Sequence, residues 1–173
     1  MDFGDVREVG EEAVWTLSTA KPGNGVDQLR DGTVESFWQS DGVQPHLVNI
    51  QFQKKMRIKE IQIYVDEKLD ESYTPQRISI RCGTTFHDLH EVQLLELQNP
   101  SGWVSIPLAD QSGSGFLRTH LIQIAVLASF QSGRDTHIRQ IKVYAACQPP
   151  TKGFGTPLST FTTIEFEQFT RLR

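Results

Sequence analysis

The sequence predicts an all-β sandwich or jelly roll, and three observations carry that reading. Apolar residues alternate with polar ones at period two rather than recurring at 3.6, which makes strands with one buried face. The alternating stretches are short, and clusters of Gly, Pro, Asn, Asp and Ser separate them, as turns require. The 173 residues suffice for one domain with a full core and fall short of two ordinary domains.

In chain order, residues 14–17 are an early strand. The turn Lys21-Pro22-Gly23-Asn24-Gly25 follows. Val26 and Leu29, three apart, then predict a short helical turn over 25–30 capped by Asn24. Trp38 reads as the core anchor of a strand entry that turns at Asp41-Gly42. Leu47, Val48, Ile50 and Phe52 alternate around Asn49 and Gln51, and Ile61, Ile63 and Val65 around Gln62 and Tyr64. Beyond Tyr73-Thr74-Pro75, the residues Ile78, Ile80 and Cys82 share a face. Strands at 92–97 and 103–106 flank the turn Asn99-Pro100-Ser101-Gly102. Ile122, Ile124 and Val126 line the next strand, and after Gln131-Ser132-Gly133 the residues Ile141, Val143 and Ala145 line the last. About eight strands result, and two sheets closed over one core protect their edges. Ile50, Phe52, Ile61, Ile63, Ile78, Ile80, Ile124, Val126, Ile141 and Val143 are the predicted interior.

Composition shifts after Ala145. Pro149, Pro150, Gly153, Gly155 and Pro157 predict a domain over 1–146 and an extended tail over 147–173. Near its end the tail turns apolar again at Ile164, Phe166, Phe169 and Leu172, beside Arg171 and Arg173. Exposed apolar area is costly in water, so this segment is expected to dock on a partner.

Composition also excludes function classes. Seventeen basic and 21 acidic residues leave a net charge of -4, which argues against sequence-blind nucleic-acid binding. Two cysteines, Cys82 and Cys147, cannot form a disulfide framework and fit a reducing compartment. Met1-Asp2-Phe3-Gly4-Asp5 opens with acids where a signal peptide carries basic and then apolar residues, and no apolar run nears the roughly 20 residues of a membrane span.

Few residue clusters suggest chemistry. His87 and His90 lie three apart, but no Cys or further His accompanies them, so they read as a polar loop rather than a metal site. Asp27, Asp31 and Glu35 could offer oxygen ligands to calcium, yet their spacing is not that of an EF-hand and favours capping and turn formation. Asp135 and His137 lack a third group, and no nucleophile, base and orienter can be named together, so no catalytic residues are assigned. The run Ser132, Gly133, Arg134, Asp135, Thr136 and His137 is richer than turning requires. Polar loops on a rigid sandwich are where such folds bind, so these six residues are the predicted site, expected as an exposed loop, with Ser40, Asp41 and His46 at its border.

The residues together carry a resemblance. Asp31-Gly32, followed by Trp38-Gln39-Ser40-Asp41-Gly42, looks like the galactose-binding-like, discoidin-type jelly roll. The fuller run adds Ala13-Val14-Trp15, Lys21-Pro22-Gly23, the stretch Gly25 to Arg30 and Gln44-Pro45-His46. It continues with Asp70-Glu71-Ser72-Tyr73-Thr74-Pro75, Pro100-Ser101-Gly102-Trp103, Gln123 to Leu127, Gly133 to His137 and Arg139-Gln140-Ile141. This resembles the family of DOC-domain subunits, subunit 10, of the anaphase-promoting complex. The resemblance implies a non-catalytic subunit of a multi-subunit ubiquitin ligase, located in nucleus and cytoplasm, with no cofactor and no metal. It implies a co-receptor that acts with a WD-repeat coactivator on destruction-box degrons, among TPR-repeat, scaffold and cullin-like subunits, touching neither nucleic acid nor membrane. The family's degron loop maps to 132–137; where a family member often has Asn, this chain has Ser132, which still donates and accepts a hydrogen bond. The family's Ile-Arg ending docks in a TPR superhelix, and this chain ends Leu172-Arg173. The alternative is a discoidin-like carbohydrate-binding module. Aromatic residues at 9%, with Trp15, Trp38 and Trp103 all inside strand patterns, disfavour the exposed platforms that sugars need.

Overall fold

A computed structural model describes residues 6–109, 113 and 115–147. The tail residues Ile164, Phe166, Phe169, Arg171, Leu172 and Arg173 lie outside the described residues. Ten strands and two short α-helices, with three single 3-10 turns between them, form among the described residues: β1 (Val6–Glu8), β2 (Ala13–Leu17), α1 (Val26–Arg30), β3 (Trp38–Gln39), β4 (His46–Asp66), α2 (Glu67–Asp70), β5 (Pro75–Gly83), β6 (His90–Glu96), β7 (Ser101–Pro107), β8 (Leu117–Ser129), β9 (His137–Ile138) and β10 (Gln140–Ala146).

The two alternating stretches around Val48 and Ile63 are one strand, β4, of 21 residues. Its first half pairs β2 on one edge and β8 on the other, and its second half pairs β7 and β10. Each half is therefore the centre of its own group of strands. The register against β8 slips between Gln51 and Met56, where Lys54 and Lys55 interrupt the apolar alternation. Such an irregularity bends a strand, letting one strand serve both groups. The first group runs β2-β4-β8-β5-β6 and the second β1-β10-β4-β7. All pairings are antiparallel, as in a jelly roll.

All ten residues predicted as interior are buried, and they join Ile58, Val65, Ile106 and Ile122 in one apolar cluster. Each fully buried Ile or Val contributes roughly 1.5–3 kcal/mol before the entropy of ordering it is subtracted. Trp38 is fully buried, and its indole N–H donates to the Thr19 carbonyl at 2.9 Å. The polar end of an otherwise apolar anchor is thus satisfied.

The helical turn forms where expected, with a different cap. Gly25 occupies the cap, and its N–H donates to Gln28 Oε1 at 2.7 Å. Asn24 donates instead to the Phe37 carbonyl at 3.0 Å, tying the turn to the approach of β3. Asp31 accepts from Thr33 N, Ser36 Oγ and Gln140 Nε2, so its carboxylate organises the loop that follows α1. No group of three His, Cys, Asp or Glu with the disposition of a metal site occurs among the described residues. Asp88 accepts from the backbone N–H groups of Thr84 and Thr85, which shapes the loop carrying His87 and His90.

Candidate recognition surface

One end of the sandwich gathers the predicted loop and its predicted border. The cause is the two-stranded ribbon of β3 and β9, which sets Trp38 opposite Ile138 and Gln39 opposite His137. The ribbon brings Ser40 onto the loop: its N–H donates to the Thr136 carbonyl at 3.1 Å, and its hydroxyl accepts from Thr136 N at 2.9 Å and donates to Asp135 Oδ1 at 3.3 Å. His46, at the start of β4, donates from Nε2 to the Arg134 carbonyl at 2.6 Å. Gln44 donates to the Gly133 carbonyl at 3.1 Å, and Arg134 Nε approaches the Gly42 carbonyl at 3.5 Å. Asp41 is exposed beside them, its N–H bonded to Thr19 Oγ1 at 3.0 Å.

The loop is seated from below by the segment after α2. Phe130 N donates to the Thr74 carbonyl and Thr136 Oγ1 to the Tyr73 carbonyl. A Cβ on Gly133 would lie 2.0 Å from the Ser72 carbonyl oxygen, so only glycine permits this approach. Just before it, Gln131 and Ser132 both take positive φ, 56° and 58°, a conformation seldom adopted by residues with side chains.

Not all six residues are exposed as expected. Ser132 and Arg134 face solvent, and Gly133 and Asp135 are half-buried. Thr136 and His137 are buried, as are the border residues Ser40 and His46. The reason for His137 is a stack. Its ring lies between Phe37, at 4.1 Å between centroids, and Tyr73, at 4.2 Å. Nδ1 meets Asp70 Oδ1 at 3.1 Å and Nε2 meets Gln39 Oε1 at 3.0 Å. Arg139 then grips the same carboxylate with two donors, Nε to Oδ2 at 3.1 Å and Nη2 to Oδ1 at 2.8 Å, and its third nitrogen reaches the Val34 carbonyl at 2.7 Å.

Burial alone would push the Asp70 carboxyl up. The hydrogen bonds from His137 and Arg139, with the Arg139 charge, outweigh burial and hold it below its ordinary value. The same bond to Asp70 raises Arg139. The aspartate facing His137 is thus Asp70 and not Asp135, and the pair is spent on holding β9 and β10 against the α2 segment. Sequence reasoning assigned no role to Gln39, Gln44, Asp70, Tyr73 or Arg139. All five stand inside the motif runs of the resemblance, which was the available signal.

The surface left for a ligand is polar with an apolar fringe. Asp41, Gln44, Gln131, Ser132 and Arg134 are exposed, and so are Val43 at 79%, Leu69 at 64% and Tyr73 at 39%. It offers hydroxyl, amide, carboxylate and guanidinium groups on a backbone held at several points.

Comparison with known proteins bears on this arrangement. The family model described as "Anaphase-promoting complex, subunit 10 (APC10)" matches residues 2–171. A relative named anaphase-promoting complex subunit 10 from Homo sapiens is 54% identical over 170 residues, covering 98% of this chain and 90% of its own length. Its counterpart from Drosophila melanogaster is 53% identical over 174 residues, covering 99% of this chain and 87% of its own. Among solved structures, the family 32 CBM from C. perfringens NanJ in complex with galactose aligns with a TM-score of 0.67 at 10% identity, over 80% of this chain and 98% of its own. At that identity the likeness shows the shared fold alone, a jelly roll of the galactose-binding-like class.

Proposed function

The chain belongs to the anaphase-promoting complex subunit 10 family, and from that premise we propose that it is a non-catalytic subunit of the anaphase-promoting complex, a multi-subunit ubiquitin ligase. In this reading it works in nucleus and cytoplasm with a WD-repeat coactivator as co-receptor for destruction-box degrons, and it promotes processive ubiquitination in cell-cycle control. Residues 1–146 form the recognition domain. The tail from 147 to 173 docks on a TPR-repeat subunit through Ile164, Phe166, Phe169, Arg171, Leu172 and Arg173.

One observation supports the recognition role most directly. The loop from 132 to 137 is fastened to Ser40, Gln44, His46 and Tyr73 and packs closely on Ser72, while Ser132 and Arg134 remain exposed. Such fastening lowers the entropy lost when a peptide binds. Contact is assigned to Ser132, Gly133, Arg134, Asp135 and Asp41. Thr136, His137, Ser40 and His46 hold those groups in place from below. Two weak receptors in one assembly gain by effective concentration, so this surface need bind a degron only modestly. The carbohydrate alternative is not favoured, because Phe37 and Tyr73 each spend a ring face on His137.

The test is the double variant Ser132→Ala, Arg134→Ala in the reconstituted ligase. Incorporation should match the parent, while binding of a destruction-box peptide by the ligase with its coactivator weakens by about tenfold and fewer ubiquitins are added per encounter. Parent-like processivity would overturn the assignment.

A further inference from the structure

The pole opposite the recognition loops carries a second surface. β10 runs from the Arg139 network to Ala146, so the two ends of the sandwich lie roughly 23 Å apart at strand rise. At that far end a groove of about 440 Å³ is lined by Arg7, Lys54, Lys55, Arg57 and Arg118, with Met56, Ala145, Ala146 and Cys147 completing its walls. Among the described residues, five basic ones and no carboxylate line it, in a chain whose net charge is -4.

The packing beneath the groove makes this more than a solvated face. Arg57 and Arg118 are direct cross-strand partners on β4 and β8. Like charges placed opposite each other on neighbouring strands destabilise a sheet. Neither forms an ion pair among the described residues. Arg57 is held in place by the Cys147 carbonyl at 3.0 Å and by the Phe116 ring at 5.2 Å. Arg7 is paired with Glu12, and among the described residues Lys54, Lys55, Arg57 and Arg118 form no ion pair. A locally unfavourable arrangement is expected where function requires it.

We propose that this groove docks an acidic peptide segment of an adjacent subunit, by carboxylates set between Arg57 and Arg118 with Lys54 and Lys55 at the rim. Guanidinium groups suit carboxylates in this geometry. Cys147, whose carbonyl accepts from Arg57, lies on the groove itself. The inference goes beyond degron recognition and does not use that surface.

The experiment titrates the full parent chain and an Arg118→Gln variant into a ligase lacking this subunit, and separately against a labelled glutamate-rich peptide. The variant should bind both about tenfold more weakly, with a shallower dependence on salt. Its melting temperature should be no lower than the parent's, because the opposed charge is gone. Ubiquitins added per incorporated subunit should not change. Equal binding by parent and variant would overturn the proposal. So would a lower melting temperature, which would make Arg118 structural, or stronger competition by inorganic phosphate or RNA than by the peptide. A parent chain that never enters the ligase would refute the function proposed above, and the peptide titration would then decide the groove by itself.

Discussion

Replacing Asp70 with Ala should destabilise the fold sharply while leaving every apolar contact of the main core in place. The carboxylate is 4% exposed and accepts three hydrogen bonds, one from His137 and two from Arg139. Without it, Arg139 keeps the Val34 carbonyl at 2.7 Å and the Phe37 ring at 5.3 Å but no counter-charge, and stays charged in a site where it is 8% exposed. Removing one member of a buried ion pair costs about 3–5 kcal/mol, because the other charge is left without compensation. For a chain of this length that corresponds to a loss of about 10 °C in melting temperature, at roughly 2–4 °C per kcal/mol. Asp70→Asn should lose less, since one carbonyl oxygen still accepts from Arg139. The pH dependence has a definite direction. The folded Asp70 lies below its unfolded value, so its stabilisation is present in full above the unfolded value and is lost as pH falls through the folded one. The parent's margin over Asp70→Asn should therefore narrow below about pH 4. Thermal unfolding of the full chain, followed by circular dichroism across pH, is the assay. A melting temperature for Asp70→Ala within about 2 °C of the parent at neutral pH would refute the reasoning.

Two further outcomes are expected. Gly133→Ala should cost about 1–3 kcal/mol in urea unfolding and weaken degron-peptide binding, because the new methyl meets a backbone oxygen that cannot step aside as a side-chain end can; an unchanged midpoint would contradict this. Burial pushes the Cys82 thiol up to about 12, only partly offset by its hydrogen bond with Thr119, so iodoacetamide at about pH 8 should modify Cys147 in the native chain and reach Cys82 only after unfolding, as peptide mapping would show.

Much of the architecture was legible because strand faces are local information. Side chains at i and i+2 point the same way in any strand, so the alternation of Ile78, Ile80 and Cys82 marks a buried face without reference to a partner. The continuity of β4 was not legible in the same way. Lys54 and Lys55 interrupt the apolar alternation, and only the pairing of both halves with β8 and other strands shows one bent strand. The cap of α1 was misplaced because Asn24 is a good capping residue locally, and its side chain is drawn instead to a carbonyl thirteen residues away.

The site divides along the same line. The density of polar residues at 132–137, after an apolar strand and before another, is a property of the sequence and marks the candidate loop by itself. Which of them face solvent is not. Thr136 and His137 turn inward because Ser40, Asp70 and Tyr73, 63 to 96 residues away, supply their hydrogen bonds, and because Phe37 and Tyr73 close on the imidazole. The opposed arginines at the far pole were equally hidden: Arg57 and Arg118 are unremarkable in sequence and become a conflict only when β4 and β8 set them side by side. Local periodicity determines which residues build the sandwich, because it depends on backbone geometry over a few residues. Long-range strand pairing determines which side chains meet at its two ends, because burial, charge and hydrogen bonding there depend on partners that the chain brings together only on folding.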